Sequence, residues 1–340
     1  MRIFVYEFVT GGGRAGQPVP RTLAREGVAM RTALLEDLSA IGNHEIVAMT
    51  DVRFARPAPR GVAMVPIAEG GQGTIDALVA ASDAVWLVAP ETDRCLERLA
   101  ARVERSGKIL LGPGAAAIRI AADKSRLPRR LARIGIGHPE TTVLAPGVNA
   151  RIAARRIGYP VVVKPARGAG CDGVGLARHA RELGAAIVAA HHANGTNSLV
   201  MQRYVRGLAA SVSLLADGHR AVALAVNAQR VTPGPAFVYR GGVTPLEHPF
   251  AAAAADAATS ACAAIPGLRG YVGVDLVLTD AGPVVIEVNP RLTLAYLGIR
   301  AVLDENVAAL ALAACDGRLP SPIVPQRRAR FTAAGQVVHG

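Results

Sequence analysis

The chain has 340 residues, half of them apolar and only 4% aromatic, which suits two or three domains with cores built from small aliphatic side chains. A formal net charge of +12 invites a polyanionic partner. The basic residues are spread out, however, and the densest cluster (Arg126, Arg129, Arg130, Arg133) follows helical spacing with no aromatic platform, which argues against nucleic acid and for anionic small molecules.

In chain order, residues 2–9 read as a strand, followed by a Gly11-Gly12-Gly13 turn and helical apolar spacing over 22–40. Strands are expected at 45–50, 62–66, 84–88 and 108–111, with helices at 73–81 and 92–105. This alternation predicts a parallel sheet covered by helices over residues 1–112, and Gly112-Pro113-Gly114 marks its end. A second unit, 113–202, carries helices at 114–120, 123–134, 149–157 and 179–193, with strands at 141–144, 160–164 and 198–202. A third, 203–318, is dominated by long strands at 208–216, 219–230, 236–242, 270–279 and 282–289, with hairpin turns at Asp217-Gly218 and Asp280-Ala281-Gly282 and a helix at 250–264. Residues 319–340, with Pro320, Pro322 and Pro325, read as a loose tail. The expected class is thus α/β followed by α+β.

The four cysteines form no C-x-x-C pair and fit a reducing compartment. The first apolar run carries Glu7 and ends in glycines, unlike a signal peptide. The Ala-rich runs at 251–264 and 307–314 are too short to cross a bilayer. A cytoplasmic protein without a membrane partner is expected; the oligomeric state is left open.

Four segments can carry chemistry. Pro160-Val-Val-Val-Lys164 is a buried strand ending in a lysine, followed by Gly168, Gly170 and Gly173, whose backbone amides can approach phosphate oxygens closely. The same loop, like residues 11–16, also fits G-x-G-x-x-G. Neither is followed directly by a helix with an acid at the right distance, so a dinucleotide fold is disfavoured. The second segment is Gly273-Val-Asp275 with Val284-Val-Ile-Glu287-Val-Asn289. Glu287 and Asn289 project from one sheet face, Asp275 can lie opposite them, and three oxygen ligands there suit magnesium. The third, Gln202-Arg203-Tyr204-Val205, is a strand end running into a linker that can meet an adenine edge. The fourth is Asp123-Lys124 at a helix start, from which Lys124 can reach a phosphate.

Taken in this order, the segments resemble the ATP-grasp superfamily, over about residues 113–315 with a preceding α/β domain. The resemblance implies an ATP-grasp fold whose two lobes enclose ATP. Lys124, Lys164 and residues 168–173 would hold the phosphates, and Gln202, Arg203, Tyr204 and Val205 the adenine. Asp275, Glu287 and Asn289 would bind magnesium, or manganese in its place, and Arg291 would face the acyl phosphate. Gly207-Leu-Ala-Ala-Ser211 lacks the acid that often holds the ribose. Val5-Tyr6-Glu7-Phe-Val-Thr10-Gly-Gly12, with the segments at 210–215 and 289–298, looks most like tyramine–glutamate ligases of methanofuran biosynthesis. The expected activity is ligation of a carboxylate, the γ-carboxylate of glutamate, to tyramine or tyrosine through an acyl phosphate. Arg291 and Arg230 are the candidates for stabilising charge at the reacting carboxyl, and Tyr6, Glu7, Thr10 and Gly12 for choosing the substrate. The alternatives are another ligase of the fold, such as a dipeptide ligase, and a nucleotide-binding protein without catalysis.

Overall fold

A computed structural model describes residues 1–194 and 198–340. Its first sheet contains β1 (Arg2–Glu7), β2 (Glu45–Asp51), β3 (Val62–Ile67), β4 (Ala84–Val88) and β5 (Ile109–Leu110), all parallel, in the order β3-β2-β1-β4-β5. The alternation of β1 explains how both faces are covered. Ile3 and Val5 pack with Leu34, Leu35 and Leu38 of helix α1 (Arg21–Ile41), while Phe4 and Tyr6 pack with α2 (Gln72–Ala80) and α3 (Cys95–Arg105) on the other side. The strand order reverses between β1 and β4, so a crevice opens beyond their carboxyl ends.

The connection runs through α4 (Ala115–Ala121) and α5 (Leu127–Arg133) into a small antiparallel sheet. That sheet holds β6 (Thr141–Leu144), β7 (Val161–Pro165), β8 (Gly175–Ala177) and β9 (Leu199–Arg203) in the order β6-β9-β7-β8. Helices α6 (Ala150–Ile157) and α7 (Ala180–Asn194) cover its apolar face, and Asn149 caps α6 by accepting from the amides of Arg151 and Ile152.

The third sheet is the largest and is antiparallel. It contains β10 (Leu208–Asp217), β11 (Ala221–Thr232), β12 (Val238–Thr244), β13 (Arg269–Thr279), β14 (Gly282–Asn289), β15 (Ala329–Thr332) and β16 (Val337–His339), in the order β14-β13-β10-β11-β12-β15-β16. Helix α8 (Ala251–Ala263) packs on one face. Helices α9 (Tyr296–Val302) and α10 (Val307–Cys315) pack on the other and join it to α1 and the first sheet in one continuous core. The segment from 319 to 340 is therefore not a loose tail. Its strand β15 pairs with β12, and Phe331 is 1% exposed. Among the described residues no helix is long and apolar enough to cross a membrane.

Candidate active site

The chemistry-bearing residues meet where the small and large sheets face each other. Asp275 on β13 pairs in register with Glu287 on β14, and Gly273 with Asn289. The ladder then slips by one residue between Asp275 and Leu276. This bulge adds Ile286 to β14 and lets both Ile286 and Glu287 face the same cavity. Asp275 accepts from Gln229 Nε2 at 2.8 Å and from Asn289 Nδ2 at 3.1 Å, which leaves the Asn289 amide oxygen for another partner. Across the gap, Lys124 Nζ lies 3.3 Å and Lys164 Nζ 3.7 Å from Glu287 Oε2. One ion pair, from Lys164 on β7, thus bridges the two sheets, and the other ties the α4–α5 turn to the large one.

The charges are unevenly compensated. Burial drives the Lys164 ammonium down to about 8, against the pull of Glu287. Burial and the neighbouring Glu287 carboxylate raise Asp275. Glu287 is held low because Lys124 and Lys164 outweigh its burial. Asp275 therefore faces a second carboxylate, and among the described residues no cation lies within ion-pair distance of it. Among the described residues no three His, Cys, Asp or Glu side chains gather as a metal-binding group, so the third oxygen here is that of Asn289. Two carboxylates and an amide make an oxygen-only set, which fits a hard divalent cation that keeps phosphate or water oxygens.

The glycine-rich loop is tied down at its root and open at its tip. Lys124 donates its amide to Ala166 O at 3.0 Å and its Nζ to Gly168 O at 2.9 Å. Gly170 and Gly173 have φ of +64° and +67°, a region that favours glycine. A Cβ at Gly173 would come within 2.5 Å of Ala193 Cβ, so this glycine seats the loop on α7. Gly170 and Cys171 at the tip border two cavities.

The smaller cavity, about 150 Å³, is lined by Val162 and Lys164 on one side, Ile286 and Glu287 on the other, and 202–205 at its edge. Gln202 donates to Thr141 Oγ1 at 3.0 Å, Arg203 pairs with Glu140 at 3.1 Å, and the Tyr204 amide donates to Pro160 O. The Gln202 and Arg203 side chains are thus occupied while the segment itself forms the wall. The larger cavity, about 230 Å³, lies beyond the carboxyl ends of β1 and β4 and reaches Ser211, Gln229, Tyr239, Asp275, Glu287, Asn289 and Arg291. Arg291 is half-buried there, with Nε and Nη2 donating to Glu91 at 2.9 and 3.1 Å.

Of the N-terminal candidates, only Glu7 reaches this cavity. Its Oε1 accepts the Val9 amide and its Oε2 the Thr10 amide and hydroxyl. Tyr6 packs in the first sheet's core, Thr10 is buried in the turn, and Gly12, with φ of +103°, lies against Ile67. These three stand behind the wall. Arg230 is exposed and lines neither cavity, because alternation along β11 turns its neighbours Gln229 and Val231 inward instead. Glu91, Gln229 and Glu26 of α1 line or hold the site but carry no motif. The position of Glu91 just past β4, at a strand's carboxyl end, is the one signal that pointed to it.

The model described as the ATP-grasp domain matches residues 121–295, and a pre ATP-grasp 3 domain matches 44–118. The carbamoyl phosphate synthase large chain of Rubrobacter xylanophilus is 46% identical over 68 residues, 20% of this chain and 6% of that one. Tyramine–L-glutamate ligase of Methanocaldococcus jannaschii is 33% identical over 103 residues, 30% of this chain and 32% of that one. Both matches therefore span less than a third of the relative's length. An ATP-grasp superfamily protein structure from Archaeoglobus fulgidus superposes with a TM-score of 0.71 at 24% identity, covering 98% of this chain and 92% of that one. L-amino acid ligase from Bacillus licheniformis does so at 0.69 and 17%, covering 97% and 78%. The ATP-grasp match takes in over half of the sequence and every residue from Lys124 to Arg291 described above, and the chain belongs to the ATP-grasp family.

Proposed function

We propose that the chain is an ATP- and magnesium-dependent ligase that joins a carboxylate to an amine through an acyl phosphate and releases ADP. The observation that carries this is the shared wall: Asp275, Glu287 and the loop tip at Gly170 and Cys171 border both cavities. A phosphoryl group held at that wall faces a second chamber. The flat apolar slot between Val162 and Ile286 suits the base, with 202–205 at its edge. Lys124 and Lys164 supply point charges to the phosphates, and residues 168–173 supply backbone amides. Magnesium on Asp275, Glu287 and Asn289, with manganese able to use the same oxygens, neutralises charge on the transferring group when bound. Arg291, aimed by Glu91, faces the carboxylate as its charge changes. In its present position Arg230 has no part in this.

For the acid we propose glutamate, through its γ-carboxylate, and for the amine tyramine or tyrosine, in making a methanofuran-type cofactor. The similarity to tyramine–L-glutamate ligase supports this, as do the apolar and aromatic walls Leu23, Met30, Val231, Tyr239 and Leu294. A dipeptide ligase is the second reading, favoured by the likeness to L-amino acid ligase.

The test is an ADP-release screen of glutamate and other amino acids against tyramine, tyrosine and amino acids as amines, with products identified by mass spectrometry. Release that needs both partners, with a condensed product, is expected. Nucleotide binding without amine-dependent turnover would leave a non-catalytic nucleotide-binding protein. Steeply salt-dependent RNA binding without ATP affinity would count against small-molecule partners altogether. Glu287→Gln is expected to lower turnover by about 100-fold or more; unchanged turnover would sink the metal assignment.

A further inference from the structure

We infer that Glu26 is the specificity-determining residue of the larger cavity, where it binds the ammonium group of an amino-acid substrate whose carboxylate is directed to Arg291. This rests on the ligase reading above. Leu23, Glu26, Gly27 and Met30 share one face of α1 by helical spacing, and Leu23, Glu26 and Met30 line the cavity. Gly27 allows the close approach that puts them there, since a Cβ at that position would stand 2.9 Å from Glu7 Oε2.

The other carboxylates on this wall are already engaged. Glu7 is held by Val9 and Thr10, Asp275 by Gln229 and Asn289, and Glu287 by two lysines. Among the described residues, Glu26 alone of these four wall neighbours has a side chain that makes no hydrogen bond or ion pair. The wall's cation, Arg291, is taken up by Glu91. So although the chain carries a net charge of +12, this chamber presents more carboxylate than free cation. Burial raises the Glu26 carboxyl, opposed by the charge of Arg291, which puts the two within electrostatic reach across the chamber. Its carboxylate is half-buried and faces the cavity with no protein partner, so a ligand's ammonium can pair with it where solvent screening is reduced. A substrate lacking that group meets only repulsion, which is how such a residue selects.

The wild type is assayed for ADP release with MgATP, tyramine, tyrosine and amino acids as amines, and each of the twenty protein amino acids as the acid. The best acid is then compared with the carboxylic acid that lacks its amino group, and both are titrated calorimetrically into the protein with MgADP. The wild type is expected to prefer the amino acid by about 10- to 100-fold. Glu26→Gln should raise KM and Kd for the amino acid by a similar factor, remove the preference, and leave KM for MgATP within about twofold. Glu26→Asp should keep part of the preference. Equal use of the two acids by the wild type, or an unchanged preference in Glu26→Gln, overturns the assignment and leaves the ligase standing. If no pair releases ADP, the ligase reading fails. Titration of glutamate, and of glutarate as its counterpart without the amino group, then judges Glu26 alone: glutamate binding that Glu26→Gln abolishes supports the assignment, and its absence from the wild type overturns it.

Discussion

Arg291 and Glu91 are 200 positions apart, the first half-buried and the second buried, and their two hydrogen bonds fix the guanidinium fork in one orientation at the wall of the larger cavity. The backbone just past Glu91 is unusual: Asp93 and Arg94 have φ of +50° and +57°, a left-handed conformation uncommon for residues with side chains. The sharp turn occupies Thr92–Arg94 and lets α3 start at Cys95, four residues after Glu91. Glu91→Gln keeps the shape but leaves the half-buried guanidinium beside a neutral partner. We expect it to cost about 1–3 kcal/mol of stability and to lower kcat by about 10- to 100-fold through misplacement of Arg291, with KM for MgATP little changed. Denaturant unfolding and steady-state kinetics check both; wild-type kcat in a destabilised variant would show that the pair only holds the domains together.

At the scale of elements, β15 is the strand that binds the chain's last segment to the active-site sheet. Phe331 fills a hollow made by glycines: Cβ atoms at Gly242 and Gly298 would come within 2.7 and 2.6 Å of its ring. Phe331→Ala should therefore leave a cavity that the sheet cannot close, costing about 3–5 kcal/mol, and Gly298→Ala should clash with the ring and with Thr244. A denaturant midpoint close to wild type for Phe331→Ala would mean that β15 detaches readily. This strand escaped sequence reasoning because Pro320, Pro322, Pro325 and the arginines at 327, 328 and 330 outweigh a four-residue alternation with only Ala329 and Phe331 turned inward. The β13–β14 hairpin was readable because period-two alternation fixes which residues share a face once the turn at Asp280 is placed. On β11 the same rule located the strand but chose the wrong neighbour: charge drew attention to Arg230, whereas its uncharged neighbour Gln229 meets Asp275. Long-range pairs such as Arg291 with Glu91 leave no local pattern to read.

For the whole molecule, the question is what couples the first domain to the loop roofing both cavities. Glu97, on α3 and 4% exposed, accepts from Arg94 at 2.9 and 2.6 Å. It also lies 3.6 Å from Arg119 and 3.4 Å from Arg167 at the root of the glycine-rich loop, and Arg167 in turn pairs with Asp123 at 3.2 Å. One carboxylate thus gathers α3, α4 and the loop. The Arg94 hydrogen bonds hold its carboxyl below the usual 4.5 despite burial, with Arg94, Arg167 and Arg119 adding charge in the same direction. Because the folded value is depressed, the stabilisation is fully present above about 4.5, the unfolded value, and is lost as pH falls through the folded one. Glu97→Gln should therefore lower Tm near pH 7 and flatten the wild type's loss of stability below about pH 4.5. Loosening of the loop root should also raise KM for MgATP by about three- to tenfold while kcat changes less. Thermal melts across that pH range, read beside the kinetics, separate the two effects. A variant that melts with the wild type's acid dependence would show that acid breaks another pair first, and an unchanged KM would show that the loop keeps its position without α3.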